Sequence, residues 1–323
     1  MNAIVYRRNG PPEVLRYEEM EKPTPGADEV LIRVRAAAVN PLDCHILKGG
    51  PALMQLLGGR KVRHPGVDAA GVVEAVGMGV TQYKPGDAVF GCCKGAFAEF
   101  AIAEQKALAV KPESVSFEDA AAAPIGALTA LQGLRDKGKI RQGQSVLING
   151  ASGGVGTYAV QLARIFGAHV TGVCSARNAE LVRSLGAERT IDYAKEDFAA
   201  GTTRYDLILD LAGNHSFSTC KRALTPRGVH VGVGILDGPK SMIVLCGALL
   251  VGLAQSKFSR QTFTVFVAKA NRQDLTLIGA WLASGELKSV IDKKYTLREV
   301  PEAMRYQGTW HVPGKLVIGM DGT

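Results

Sequence analysis

Ser145-Val-Leu-Ile-Asn-Gly-Ala-Ser-Gly-Gly-Val-Gly156 is the stretch whose reading decides the fold of this chain. An apolar, β-leaning run, Val146 to Ile148, enters a glycine cluster. A helical pattern of Val160, Leu162, Ala163, Ile165 and Phe166 leaves it. A strand, a glycine turn and a helix in that order are what a dinucleotide fingerprint requires. Gly153 lets backbone approach a pyrophosphate, and Gly156 lets the helix pack closely on its strand. The helix start adds free N–H groups and a positive dipole for the phosphates. Ala151 stands where the first glycine usually does, so the spacing is Ala-x-Gly-x-x-Gly. Ala151, Ser152, Gly153, Gly154 and Val155 are therefore cofactor-binding candidates. The competing reading is an ordinary tight turn.

One position bears on the choice of cofactor. His169-Val-Thr-Gly-Val-Cys-Ser175 reads as the second parallel strand. An NAD site normally ends that strand with an acid, roughly twenty residues past the glycines, to bind the ribose 2′-OH. Here the position falls near Ser175, followed by Arg177, and no carboxylate occurs between Gly156 and Glu180. A hydroxyl beside a guanidinium suits a 2′-phosphate, because Arg makes strong charge-assisted bonds to phosphate oxygens. The expected cofactor is NADPH. Tyr193 is a candidate to close over the same phosphate. The alternatives are a solvated Arg177 opening the next helix and an ordinary surface Tyr193.

The 323 residues are enough for two domains with real cores. A hydrophobic content of 46% marks a globular protein. The net charge of +8 is scattered, its densest patch being Gly59-Arg-Lys-Val-Arg63. That argues against a dedicated nucleic-acid arm and mildly favours an anionic cofactor. The N-terminal Met1-Asn-Ala-Ile-Val-Tyr-Arg-Arg lacks the basic, apolar, small order of a signal peptide. The six cysteines lack zinc-like pairing and disulfide-scaffold density, so reduced thiols in the cytoplasm are expected. Met242 to Ala254 is the most apolar segment. It is well short of the roughly 20 residues needed to cross a bilayer and reads as a buried helix or an interface element, with peripheral membrane contact as the alternative.

The first 115 or so residues look β-rich. Val30-Leu-Ile-Arg-Val-Arg-Ala, Gly71-Val-Val-Glu-Ala-Val-Gly, the run after Tyr83-Lys-Pro-Gly, and Ala96-Phe-Ala-Glu-Phe-Ala-Ile-Ala read as strands of a barrel-like unit. Near Ser116 the texture changes. Ser116 caps a helix with acids in its first turn, and a second helix is expected over Gly126 to Asp136. Strand and helix then alternate: strands at 145–149, 169–174, 205–211 and 228–233, helices at 155–166, 178–185 and 217–224. This is the doubly wound parallel pattern of an α/β fold. A helix near Leu275–Ser284, and Gly314-Lys-Leu-Val-Ile-Gly, return to mixed character.

Taken in order, Ala36-Ala-Ala-Val-Asn-Pro-Leu-Asp43, Pro65-Gly-Val-Asp-Ala-Ala-Gly71, Lys84-Pro-Gly-Asp-Ala-Val-Phe90, Pro124-Ile-Gly-Ala-Leu-Thr-Ala130, the glycine turn and Leu185-Gly-Ala-Glu carry a family likeness. They resemble the zinc-independent quinone oxidoreductase branch of the medium-chain dehydrogenase/reductase superfamily, over essentially the whole chain. Ala151-Ser-Gly-Gly-Val-Gly-Thr-Tyr-Ala-Val-Gln-Leu-Ala163, Ala176-Arg-Asn and Val182-Arg-Ser-Leu-Gly-Ala187 are most similar to chloroplast-envelope quinone oxidoreductase homologues and reticulon-4-interacting-protein-like reductases. The resemblance implies a GroES-like catalytic domain, residues 1–118 and 265–323, interrupted by a Rossmann domain, residues 119–264.

Zinc-dependent relatives place Cys where this chain has Asn40, and His-Glu where it has Val67-Asp68. Neither Val nor an Asn amide replaces a thiolate and an imidazole in a tetrahedral site, so no metal is expected. The resemblance puts Asn40 against both the nicotinamide and the acceptor; a turn-forming Asn before Pro41 is the plain alternative. Asp43 either orients Asn40 or caps the following helix. His45 is a candidate proton donor, since imidazole titrates near working pH, although a lone His is more often structural. Thr129 touches the cofactor by resemblance, against the reading of a helix-surface Thr. Val233 and Gly234 match the loop lining the nicotinamide pocket.

The expected activity is hydride transfer from NADPH to a quinone or an α,β-unsaturated carbonyl, with hydrogen-bond donors stabilising the charge that develops on oxygen. The alternatives are an enoyl-thioester reductase and a non-catalytic NADPH-binding protein acting through partners such as RNA or a membrane. A homodimer formed through the Rossmann edges is expected.

Overall fold

The computed structural model describes residues 1–49, 62–233 and 260–320. The apolar 242–254 segment and Gly234 lie outside them. Along the chain the described elements are β1 (Asn2–Val5), β2 (Arg16–Glu19), β3 (Glu29–Val39), α1 (Pro41–Lys48), β4 (Asp68–Val76), β5 (Ala88–Cys92), β6 (Phe100–Glu104), β7 (Leu108–Val110), α2 (Phe117–Ala122) and α3 (Pro124–Leu131). There follow β8 (Ser145–Asn149), α4 (Gly156–Ile165), β9 (His169–Cys174), α5 (Ala179–Ser184), β10 (Arg189–Asp192), β11 (Tyr205–Asp210), α6 (Phe217–Ala223), β12 (Leu224–Val233) and β13 (Thr262–Phe266). Last come α7 (Arg272–Ser284), β14 (Ile291–Thr296), α8 (Val300–Gln307) and β15 (Lys315–Gly319).

The chain falls into two compact units, Met1–Leu128 with Ala270–Thr323, and Thr129–Lys269. In the first, seven strands form a sheet of order β14-β15-β3-β4-β5-β7, with β6 also pairing β3, and β1 and β2 form a separate antiparallel pair. The strand β3 is the spine. Its alternation Val30, Ile32, Val34 feeds one buried cluster with Tyr6, Val73, Phe97, Leu316 and Ile318. Residue register then fixes the site. Leu316 pairs Val39, Asp68 pairs Ala38, and Cys92 pairs Asp68. The ends of four neighbouring strands thus place Lys315, Asn40, Asp68 and Cys92 side by side.

In the second unit all six strands are parallel, in the order β10-β9-β8-β11-β12-β13. That is the doubly wound order in which the chain reverses direction at β8, and ligands bind outside the carboxyl ends of such strands. Its strands are continuous apolar runs, as burial on both faces demands: Val146, Leu147 and Ile148 have no exposed surface.

The expected elements recur with shifted ends. The helix expected over Gly126 to Asp136 is α-helical only to Leu131 and continues as a π-helical segment, Gln132–Lys137. There the Gln132 amide donates to Lys269 O at 2.8 Å and accepts from Lys269 N–H at 2.9 Å. The strand expected from Ala96 begins only at Phe100, because Phe97 and Ala98 are engaged with β1: Ile4 N–H donates to Phe97 O, and Ala98 bridges Ala3.

Candidate active and cofactor site

The glycine turn leaves the end of β8. Gly150 takes a left-handed backbone, φ 86°, and its N–H and that of Ala151 both donate to Val173 O on β9. A Cβ on Gly156 would stand 2.1 Å from Gly150 O and inside van der Waals contact of Ala151. Only glycine lets the first turn of α4 close onto the strand this tightly. A Cβ on Gly153 would meet only Gly150 O, at 3.5 Å. The space over this peptide is otherwise open, a cradle at a helix N-terminus that a pyrophosphate fits. Ala151 is buried, whereas Ser152, Gly153, Gly154 and Val155 are half-buried along the turn.

Ser175 caps a short 3₁₀ turn, Ala176–Asn178, that follows β9. The Asn178 amide donates to Ser152 Oγ at 3.1 Å, so this turn is tied to the glycine turn. Arg177 is exposed on it. Tyr193, 53% exposed, follows β10, and its N–H donates to Cys174 O beside Ser175. The structure thus brings Ser152, Ser175, Arg177 and Tyr193 to one edge. Asp192 ends β10, and its Oδ1 is engaged by the Ala194 N–H. Val233 is half-buried at the carboxyl end of β12. Thr129 on α3 is 5% exposed, which removes the helix-surface reading.

In the first unit, Asn40 is the N-cap of α1, with Pro41 at the first helical position. Asp43 joins the two roles foreseen for it. Its Oδ2 accepts the Asn40 N–H at 2.8 Å, and its own N–H donates to Asn40 O, so it caps the helix by holding Asn40. The Asn40 side chain, 2% exposed, is engaged at both ends. Its Nδ2 donates to Asp68 Oδ2 at 3.0 Å and, at 3.4 Å, to Ala38 O, while its Oδ1 accepts from Lys315 Nζ. Asp68 also accepts the Ile125 N–H, at 3.1 and 3.2 Å, and lies 3.6 Å from Lys315 Nζ. The Asn40 amide therefore points inward. His45, on the next turn of α1, lies under Trp310 with ring centroids 5.3 Å apart. Trp310 is 49% exposed and held at φ 61°, in the left-handed region that bulky residues seldom adopt.

The electrostatics follow from burial. Burial pushes the Asp43 carboxyl up to about 7; the Asn40 N–H opposes this, the Asp68 charge adds to it, and Lys315 opposes it. Burial likewise pushes Asp68 up and Lys315 down, each opposed by the charge of the other. The Cys92 thiol, whose Sγ is 3.8 Å from Asp68 Oδ1, is pushed up by burial and by that carboxylate.

Sequence reasoning missed Lys315. The available signal is a lone Lys opening the otherwise apolar run Leu316-Val-Ile318: that run is fully buried, and a buried Lys requires a partner. In sequence alone, Asp68 stands out only as a replaced metal position.

Among the described residues, Asp210, Cys220 and His230 form the one Cys/His/Asp cluster with potential ligand atoms within 4.8 Å of one another. Asp210 Oδ1 accepts from Asn149 Nδ2 and Gly213 N–H, and Oδ2 lies 3.5 Å from His230 Nε2. Burial, with the charges of Asp210 and Asp197, pushes the Cys220 thiol up to about 12. The cluster is a buried carboxylate–imidazole pair beside a protonated thiol.

Comparison with known proteins agrees with this geometry. Residues 26–113 match the alcohol dehydrogenase GroES-like domain family, and residues 185–318 match the zinc-binding dehydrogenase family. The chain is 32% identical to a chloroplastic quinone-oxidoreductase homologue of Spinacia oleracea, covering 98% of each. It is 33% identical to a chloroplastic NADPH-dependent alkenal/one oxidoreductase of Arabidopsis thaliana, covering 98% of this chain and 79% of that one. The solved quinone oxidoreductase of Coxiella burnetii superposes with a TM-score of 0.88 at 30% identity, over 99% of each chain. No helix among the described residues is long and apolar enough to cross a membrane. With a GroES-like unit and a Rossmann unit carrying the dinucleotide turn, the chain is an oxidoreductase of the NAD(P)-dependent, quinone oxidoreductase-like branch of the medium-chain dehydrogenase/reductase superfamily.

Proposed function

We propose that the protein is a zinc-independent, NADPH-dependent reductase of quinones or α,β-unsaturated carbonyls. The observation that carries the cofactor choice is the grouping of Ser175, Arg177 and Tyr193 after β9 and β10, with no acid at the end of β9 and with Asp192 Oδ1 engaged by the Ala194 N–H. An acid there would accept a ribose 2′-OH; a hydroxyl, a guanidinium and a phenol suit a 2′-phosphate. The donor set supports zinc independence. Val67 has no ligand atom, Asn40 Oδ1 is taken by an ammonium, and that ammonium also neutralises Asp68.

In this reading the bound cofactor supplies a hydride from its nicotinamide. Gly154 and Val155 would hold the pyrophosphate with backbone N–H groups over the open face of Gly153, whose own N–H closes the turn onto Gly150 O; Ser152 lines the same turn, and Ala151 ties it to β9. Thr129 and Val233 would flank the nicotinamide. Asn40 and Asp43 hold α1 in place beside the acceptor, and His45 supplies the proton that follows the hydride. The Arabidopsis relative's name, which joins NADPH with alkenals and enones, supports the acceptor class.

The test is initial-rate oxidation of NADPH, with NADH as control, against 1,4-benzoquinone, 9,10-phenanthrenequinone, a medium-chain enone and crotonyl-CoA. The expected result is turnover with a quinone or the enone, and a clear preference for NADPH. Crotonyl-CoA as the best acceptor would favour a thioester reductase. NADPH binding with no acceptor reduced would favour a non-catalytic protein.

A further inference from the structure

The stretch that matches the zinc-binding dehydrogenase family, residues 185–318, includes Lys315 but not Asn40, Val67 or Asp68, and the donor set of those three residues does not suit zinc. We infer that Lys315 is a positioning residue whose ammonium serves as the built-in cation of the acceptor half-site, holding Asn40 and Asp68 from the place where zinc-dependent relatives gather ligands around a metal. The inference rests on the reductase reading above.

Three observations carry it. First, the strand register sets Lys315, Asn40 and Asp68 on adjacent strand ends, so the contact is built into the sheet. Second, the ammonium can only donate and an ionised carboxylate can only accept. Lys315 on Oδ1 and Asp68 on Nδ2 therefore allow the Asn40 amide a single orientation. Third, Lys315 is 2% exposed and Asp68 has no exposed surface, so each charge depends on the other. A divalent metal seated here would face an ammonium already hydrogen-bonded to its first potential ligand.

The route to function runs through α1. Lys315 fixes the Asn40 side chain, Asn40 and Asp43 hold each other across the first turn, and that turn sets the helix bearing His45. The nucleotide turn belongs to the other unit. Removing the ammonium should therefore spare cofactor affinity and lower turnover.

The test compares Lys315→Met, Asp68→Asn and the charge-balanced double variant Asp68→Asn/Lys315→Met. The single Lys315→Met variant strands a buried carboxylate and is expected to lose stability; the double variant removes both charges and is expected to fold. In the folded double variant we expect NADPH affinity, read by nucleotide fluorescence, within about twofold of wild type, with kcat lower by about 100-fold, the scale of an ångström-level misplacement. A kcat within about threefold of wild type in that variant would overturn the assignment. A second readout needs no turnover: the zinc content per chain at micromolar free Zn²⁺, in wild type and in Asp68→Asn. Equal content is expected. An equivalent of zinc lost in Asp68→Asn would put a metal where Lys315 is assigned and overturn the inference. Wild-type NADPH binding without turnover on any acceptor would instead defeat the reductase reading, leaving the zinc measurement to decide on Lys315.

Discussion

Arg177 is the residue on which the proposed preference for NADPH turns. Its guanidinium stands exposed on the Ala176–Asn178 turn, tied through Asn178 to the glycine turn. A charge-assisted contact to phosphate contributes about 1.5–3 kcal/mol, and exposure lowers that figure. Arg177→Ala should raise the KM for NADPH by about tenfold and change that for NADH by less than about twofold. Steady-state kinetics with both nucleotides read this; equal effects on both would remove Arg177 from 2′-phosphate recognition. Asp43 makes a different kind of prediction. With a folded-state value near 7 against an ordinary 3.8, the folded chain keeps a proton that the unfolded chain releases. Stability therefore falls as pH rises from about 4 to about 7 and is flat above, at up to about 1.4 kcal/mol per pH unit. Asp43→Asn removes that slope while keeping an acceptor for the Asn40 N–H. Its urea midpoint should fall less than that of wild type between about pH 5 and pH 7, and parallel curves would refute the assignment. The sequence offers Arg177 as a candidate from the missing acid, and offers Asp43 as either a partner of Asn40 or a helix cap. Lys315 is not legible there, because its partners lie 247 and 275 residues away, and only the sheet joins them.

At the scale of elements, the glycine turn carries the sharpest prediction. A methyl group on Gly156 would meet Gly150 O at 2.1 Å, backbone that cannot yield cheaply. Gly156→Ala should cost about 3 kcal/mol and weaken NADPH binding together with stability. Urea denaturation and nucleotide fluorescence measure both; an unchanged stability would mean that the turn is looser than described. The turn and the strands around it were readable because glycine placement and apolar runs are local signals. The elements that went unread are those with weak local patterns. Ile291–Thr296 mixes Asp and two Lys into a strand that is buried on neither face. Thr262–Phe266 is a short parallel strand whose place is fixed by β12. The break at Leu131 follows the π-helical turn, where Gly133 lies against Leu209 and Phe266. Nothing in Gly126 to Asp136 read alone encodes that contact.

For the whole molecule, the β10-β9-β8-β11-β12-β13 order follows from strand–helix alternation together with the rule that such crossovers are right-handed. Strand order in the GroES-like unit needs long-range pairing, as between β15 and β3, that no local pattern specifies. Cofactor binding should stabilise the protein by mass action. NADPH at about 100 times its Kd adds about 2.7 kcal/mol, a rise of several degrees in Tm, and NADH at equal concentration adds less. Differential scanning calorimetry tests this, and equal shifts for the two nucleotides would argue against a 2′-phosphate site. The central claim is hydride transfer to a conjugated acceptor, and isotope transfer tests it most directly. The protein would turn over NADPH dideuterated at the nicotinamide C4 with a medium-chain enone, and the product would be read by mass spectrometry and NMR. The account predicts one deuterium on the β-carbon of a saturated ketone. Nucleotide binding with no labelled product from this enone or any other conjugated carbonyl, and with no NADPH oxidised by any quinone run in parallel, would contradict it.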